Sequence, residues 1–316
     1  MRNHDRQPHS TSNLTISRCV SRVVPGTEAP RCALTVDVED WYQSSIDFSA
    51  PITERVLHNM DRLRAILDDA GVKATFFVQG MVAEAFPKLV QQLVAEGHEV
   101  QSHGYSHRPL FAMDRITLRA ELERGIKTLE DACGVRPTAF RAPDFSIVQE
   151  NLWALEVLAE LGFDVDSSIF PMKLKRYGVP GWERAPHRIT FPSGVTILEA
   201  PVAVMTVAGF PMPVAGGGYF RLLPQWILER ALSSVLADDR PAIIYCHPYE
   251  FCPQEIASYR GQVPAATLLT QGLGRASFVK RIKGLLSRFR FGRLCDVLES
   301  KRSNPHAASS RVEQTG

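Results

Sequence analysis

The stretch Val100-Gln101-Ser102-His103-Gly104-Tyr105-Ser106-His107-Arg108 sets two histidines four residues apart, just after the short alternating run Glu99-Val100-Gln101-Ser102. Alternation of this kind reads as a strand, so both imidazoles emerge where strand gives way to turn. Imidazole is the commonest protein ligand for transition metals, and a spacing of four brings two rings to one side of a helical turn. Gly104 lets the backbone bend where a regular helix would not. Taken alone, the pattern also suits a polar loop with exposed histidines, and the surrounding chain has to decide between the two.

Outward from this stretch, strand and helix patterns alternate. Cys32-Ala33-Leu34-Thr35-Val36 is a β-prone apolar run. A helix pattern over 52–70 follows, with Val56, Leu57, Met60, Leu63, Ile66 and Leu67 on one stripe and Gly71 as its stop. Next come a buried-type strand at 74–78, a helix over 81–96 closed by Gly97, and the strand at 98–102. A helix over 116–132, a short strand before Arg141, a helix over 150–161 stopped by Gly162 and a strand at 163–165 continue the series. This alternation predicts a parallel sheet with crossover helices. Region 167–221 is rich in Pro and Gly with β-like runs at 195–199 and 202–205, and reads as an elaboration on the rim. Order returns with a helix over 225–237, the strand Ala242-Ile243-Ile244-Tyr245-Cys246 and basic helical stretches toward Glu299.

In parallel α/β folds, reactive residues gather at the carboxyl ends of strands, where loops meet on one face. Four polar clusters obey that rule: Asp37-Val38-Glu39-Asp40, His103 with His107, Arg141-Ala142-Pro143-Asp144, and His247-Pro248-Tyr249-Glu250. Two neutral imidazoles and one carboxylate make a three-ligand site with a position left for water, as in catalytic zinc centres. A second carboxylate can take a proton from that water, and a further histidine can give one to a leaving amine. Together these groups are the inventory for hydrolysing an amide.

The motifs resemble those of the polysaccharide deacetylases, the NodB-homology or carbohydrate esterase family 4 proteins, over roughly 31–247. Thr35-Val36-Asp37-Val38-Glu39-Asp40 resembles the first family motif and Ser102-His103-Gly104-Tyr105-Ser106-His107 the metal-holding second. Phe140-Arg141-Ala142-Pro143 resembles the third, Asp164-Val165-Asp166-Ser167-Ser168 the region of the fourth, and Ile244-Tyr245-Cys246-His247 the last. Gly216-Gly217-Gly218-Tyr219-Phe220-Arg221 and the run from His247 to Glu250 are similar to a bacterial subgroup associated with exopolysaccharide production, which carries its own C-terminal region.

The resemblance implies a distorted (β/α) barrel, and a metal-dependent enzyme that removes N-acetyl groups from amino sugars of a bacterial polysaccharide or its precursor. It implies Asp37 as general base, His247 as general acid, Arg141 as the group that orients Asp37, and His103 and His107 as ligands of a divalent metal, Zn2+ first. The family's usual ligand directly follows the base, but Val38 stands there and cannot ligate. Strand alternation puts Glu39 on the face of Asp37, whereas a bulge would bring in Asp40; both stay candidates. Asp166 is a candidate partner of His247, with Ser167 and Ser168 structural. Trp41, Tyr42 and Tyr105 suit either a platform for a sugar ring or the core. Pro143 and Asp144 lie where substrate contact is expected, although Asp144 equally suits a turn cap. Gly216 to Gly218 suit tight turning, with Tyr219 and Arg221 as rim contacts. His58 and His98 read as helix-edge or surface residues.

A chain of 316 residues that is 45% hydrophobic can hold one large core, and the expected organisation is a disordered arm over 1–30, one domain over 31–300 and a disordered tail over 301–316. A formal net charge of +2 gives no reason to expect nucleic acid as a partner. Seven basic residues and no acid lie between Arg275 and Arg293, which suits a solvated helix face or peripheral contact with a membrane. The six cysteines form no CxxC pair and read as reduced thiols. The first thirty residues carry no apolar signal core and no stretch approaches a membrane span, so the expected location is the cytoplasm. Competing readings are a metal-independent cyclic-amide hydrolase of the same superfamily, a non-catalytic carbohydrate-binding scaffold and a two-His, one-carboxylate iron oxygenase. Retention of Asp37 and His247 together argues against the last two.

Overall fold

The computed structural model describes residues 14–18 and 29–302. Its strands are β1 (Thr15–Arg18), β2 (Cys32–Val38), β3 (Thr75–Val78), β4 (Glu99–Ser102), β5 (Ala139–Phe140), β6 (Val165–Asp166), β7 (His187–Thr190), β8 (Thr196–Glu199), β9 (Val204–Val207), β10 (Phe210–Pro213), β11 (Ala242–Cys246) and β12 (Phe291–Gly292). Its helices are α1 (Trp41–Ser45), α2 (Arg55–Asp69), α3 (Gly80–Ala85), α4 (Pro87–Ala95), α5 (Arg115–Cys133), α6 (Trp153–Glu160), α7 (Gly217–Leu222), α8 (Gln225–Ala237), α9 (Ala265–Gly272), α10 (Arg275–Arg288) and α11 (Leu294–Arg302).

The main sheet runs β1-β7-β8-β6-β5-β4-β3-β2-β11, parallel from β8 through to β11. Only β7 and β1 run antiparallel to their neighbours. At β2 the ladder is fullest: β11 pairs along Cys32 to Val36, while β12 pairs at Cys32 and Ala33 and β3 from Thr35 onward. All seven residues of β2 are buried, as expected of a parallel strand covered on both faces. Beyond β8 the ring is completed by irregular backbone. Ala203 N–H donates to Ile243 O and Tyr245 N–H to Ala215 O, each at 2.8 Å. The molecule is thus a distorted (β/α) barrel in which one seam is loop rather than strand. The hairpin of β9 and β10 hangs from that seam as the expected elaboration.

Several expectations need correction. The helix expected over 81–96 is two, because Pro87 has no N–H to continue the ladder, and Phe86 breaks out at φ −134° and ψ 63°. The arm expected to be disordered contributes β1, which pairs with β7 from Thr15↔Thr190 to Arg18↔His187. An edge strand needs one partner and little apolar pattern, so composition does not reveal it. Residues 1–13 and 19–28 of that arm lie outside the described residues, and so does the tail beyond α11. His98 is buried rather than at the surface: its Nδ1 accepts from Ala74 N–H at 3.2 Å and its ring meets Phe76 edge-on at 5.0 Å. Burial, aided by the Lys73 charge, pushes its pKa down to about 4. His58 is exposed on α2, as expected. Among the described residues no helix is long and apolar enough to cross a membrane.

Candidate active site

The parallel strands deliver their polar ends to one place. Glu39 follows β2, His103 follows β4, Arg141 follows β5 and His247 follows β11. Glu39, His103 and His107 each point one ligand atom into a cluster whose members lie within 4.8 Å of one another, all three buried. The Glu39 Oε2 contacts His107 Nε2 closely and lies 3.6 Å from His103 Nε2. Its other oxygen accepts from Ser44 Oγ and Tyr249 OH, both at 3.1 Å.

Each imidazole is held in place. The His103 Nδ1 faces the Arg141 carbonyl at 2.8 Å, which fixes Nδ1 as the protonated nitrogen and turns the Nε2 lone pair into the cluster. The loop to His107 needs left-handed backbone at Gly104 (φ 73°) and at His107 itself (φ 65°). Two elements keep it so. Gly80 N–H and Met81 N–H, at the start of α3, donate to Gly104 O and Tyr105 O at 2.8 and 3.0 Å. From α5, Glu121 accepts from the backbone N–H groups of Tyr105 and Ser106, and Gly125 leaves room for the Gly104 carbonyl.

Burial opposes charge on Glu39, but the charge of His107 and hydrogen bonds from His103 and His107 outweigh it. They hold the carboxyl well below the usual carboxylate range. An ionised carboxylate beside two oriented imidazoles suits a divalent cation of the zinc type, with N and O donors and an open side. The His107 Nδ1 is buried without a hydrogen-bond partner.

Asp37 and Arg141 form a second buried unit. The Arg141 side chain is fully buried; its Nη1 donates to Asp37 Oδ1 at 3.0 Å and to Thr35 Oγ1 at 2.6 Å, while Nε and Nη2 bond to Ser167 O and Oγ. Arg141 therefore spans two groups, with its side chain on Asp37 and its carbonyl on His103. On the opposite flank, His247 Nε2 lies 3.9 Å from Glu39 Oε1. Burial disfavours its charged form, yet the hydrogen bond it makes to Glu250 and the charges of Glu39, Glu250 and Asp37 raise its pKa to about 9.

Other sequence candidates take different places. Asp40 is not in the cluster: as N-cap of α1 it accepts from Tyr42 N–H at 3.0 Å and Gln43 N–H at 3.4 Å, and from Thr53 N–H at 2.9 Å. Regular β2 alternation continues through Glu39, and the turn into α1 consumes the next carboxylate. Trp41 is no platform; it is 1% exposed and tilted against Tyr259 at 4.8 Å, and Tyr42 stacks on the same ring. Tyr105 is buried too, its hydroxyl on Glu84 and its ring under Arg124 at 3.7 Å. Pro143 is buried and packs on Gly104, and Asp144 pairs with Arg176 at 3.0 Å.

Asp166 does not reach His247. It binds Ser168 instead and shares a fully buried site with Glu199, where burial raises both carboxyls. The partner of His247 is Glu250, and the i,i+3 spacing in His247-Pro248-Tyr249-Glu250 was the signal for it. Phe48 is also new: 42% exposed, it lies roughly parallel to the His107 ring at 6.4 Å. Of the basic stretch, Arg275 and Arg281 bond to backbone carbonyls, Lys283 pairs with Asp69 and Arg293 with Asp296. Two of its seven charges, Lys283 and Arg293, are thus paired with carboxylates.

Residues 27–165 match the polysaccharide deacetylase family model, and residues 167–299 match a domain of unknown function (DUF3473). A peptidoglycan deacetylase-like protein of Gibberella zeae is 35% identical over 126 residues, 39% of this chain and 36% of its own length. The peptidoglycan-N-acetylglucosamine deacetylase of Bacillus cereus is 35% identical over 91 residues, 28% of this chain and 33% of its own. The chain thus spans about a third of the length of these curated relatives. A solved structure of a putative polysaccharide deacetylase from Mycobacterium smegmatis superposes with a TM-score of 0.59 at 21% identity, covering 95% of this chain and 100% of that one. The barrel, the strand-end motifs and the matched model agree: residues 27–165 are similar to the polysaccharide deacetylase family.

Proposed function

We propose that this protein is a metal-dependent hydrolase that removes N-acetyl groups from amino sugars of a bacterial exopolysaccharide or its precursor. The observation that carries the reading is the buried set of Glu39, His103 and His107, with Asp37 and His247 reaching the same strand ends. A divalent cation bound there, Zn2+ by donor type, would supply Lewis acidity and make water acidic near neutral pH. Asp37, kept in place by Arg141, takes the proton of the attacking water. His247, charged at neutral pH, returns a proton to the sugar nitrogen as the C–N bond breaks, leaving acetate and a free amine. Phe48 at the rim offers an exposed flat face against which a sugar ring can pack.

A cyclic-amide hydrolase working without metal is disfavoured by the cluster itself. Two imidazoles turned onto one ionised buried carboxylate have no evident use in a reaction without a cation. The test is acetate release from N-acetylhexosamine oligomers after metal removal and zinc return. Asp37→Asn and His103→Ala are each expected to lose at least ~100-fold, with zinc restoring only the unaltered protein. Full acetate release from the metal-free protein would overturn the metal-dependent reading.

A further inference from the structure

The segment that matches a domain of unknown function, residues 167–299, holds His247 and several of the groups packed around it. Glu250 is 2% exposed and lies under the imidazole. Its Oε2 accepts from His247 N–H at 3.0 Å and faces His247 Nδ1 at 3.4 Å, while Glu250 N–H donates back to His247 O at 3.1 Å. On the other side, Arg221 Nε lies 3.4 Å from Glu250 Oε1. Arg221 is itself anchored, its Nη1 donating to Gln271 O at 2.6 Å. The start of α7 then closes on the carboxylate so tightly that a Cβ at Gly217 would overlap both Glu250 oxygens. Above, the Tyr249 ring stacks on His247 at 4.9 Å and 8°.

We propose that Glu250, clamped between Gly217 and Arg221, is a positioning residue that holds His247 with Nδ1 protonated and Nε2 aimed at the reacting nitrogen, so that residues 167–299 build the acid half of the active site. The proposal rests on the reading of His247 as proton donor. The geometry favours Glu250 over Asp166 and Glu39 for this task. Asp166 is turned to Ser168, and Glu39 faces Nε2 rather than Nδ1. A carboxylate on the far nitrogen of an imidazole fixes both its tautomer and its ring orientation.

The test exploits the leaving group. Amide hydrolysis needs a proton delivered to nitrogen, whereas 4-nitrophenyl acetate releases an anion stable enough to leave without one. In the zinc-loaded full-length protein, Glu250→Gln is expected to lower kcat for acetate release from N-acetylhexosamine oligomers by about 10- to 100-fold. Its KM, zinc content and 4-nitrophenyl acetate hydrolysis should be kept. Gly217→Ala, which pushes the carboxylate away, should give the same split, and Glu250→Asp should recover part of the rate. The 15N shifts of His247 provide a readout independent of turnover. Recorded at alkaline pH, where the ring is neutral, they should report protonated Nδ1 in the unaltered protein and a tautomer mixture in Glu250→Gln. Equal loss on amide and ester, no loss on either, or unchanged His247 shifts would overturn the proposal. An unaltered protein that releases no acetate while its His247 shifts respond to Glu250→Gln would count against the proposed function instead.

Discussion

Glu39 and Asp40 are adjacent carboxylates with opposite fates. Glu39 directly follows a strand with its side chain among the histidines, whereas Asp40 caps the helix that begins one residue later. Glu39→Gln is therefore expected to abolish stoichiometric zinc binding. Asp40→Ala should keep one zinc per chain but cost about 1–2 kcal/mol of stability, the usual penalty for losing an N-cap. Metal analysis after dialysis, with urea unfolding, separates the two; zinc lost from Asp40→Ala alone would reverse the assignment. His247 sets the pH response. Its pKa is raised to about 9 from an ordinary 6.5, so the stability it contributes is fully present below 6.5 and lost as pH rises through about 9. The donor disappears over the same interval. Acetate release should fall on the alkaline side, with a midpoint below 9 once a cation shares the Glu39 charge that helps raise it. His247→Gln should remove that limb from the pH–rate profile.

At the scale of elements, the loop carrying His103 and His107 is shaped by helices remote from it in sequence. The start of α3 donates two backbone hydrogen bonds to it, and Gly80 lies so close that an added Cβ would sit 2.6 Å from Tyr105 Cδ2 and 3.0 Å from its Cα. Gly80→Ala should therefore cost about 1–3 kcal/mol by overpacking and weaken zinc binding by displacing His103 and His107. Thermal unfolding and a zinc titration would check both, and unchanged zinc affinity would show the loop to be indifferent to α3. The elements were largely legible: β2, β11, α2, α5 and α8 lie where apolar pattern and glycine stops put them. Of the two-residue strands, β5 lies before Arg141 as expected, and β6 falls at Val165–Asp166 against an expected 163–165. Strands β1 and β7 went unread: β1 is a short edge strand with one partner, and β7, which lies between β1 and β8, is four residues long within a Pro- and Gly-rich region.

Across the whole molecule, the two matched segments share one sheet. Both β11 and β12 come from the second segment, yet they pair with β2 of the first, and one hydrophobic core draws on Val36, Phe76, Ile244 and Phe278 alike. A protein ending at Asp166 would leave β2 unpaired along one edge and its apolar side chains in water. It is expected to be unfolded or aggregated, whereas the full chain unfolds in a single cooperative transition. Circular dichroism and calorimetry would decide; a stably folded fragment would show that the second segment is an appended module.

What the amino-acid order determined by itself was local. It set the alternation of strand and helix, the strand ends that carry acids, imidazoles and a guanidinium, and the choice of Glu39 or Asp40 as the carboxylate to watch. These follow from side-chain periodicity and turn chemistry, which act over a few residues. Tertiary structure decided what depends on distance between remote segments. It put Glu250 rather than Asp166 against His247, withdrew Trp41 and Tyr105 into the interior, and placed Arg141 across Asp37 and His103. Such pairings depend on how the sheet orients its strand ends, and no local pattern in the chain encodes that orientation.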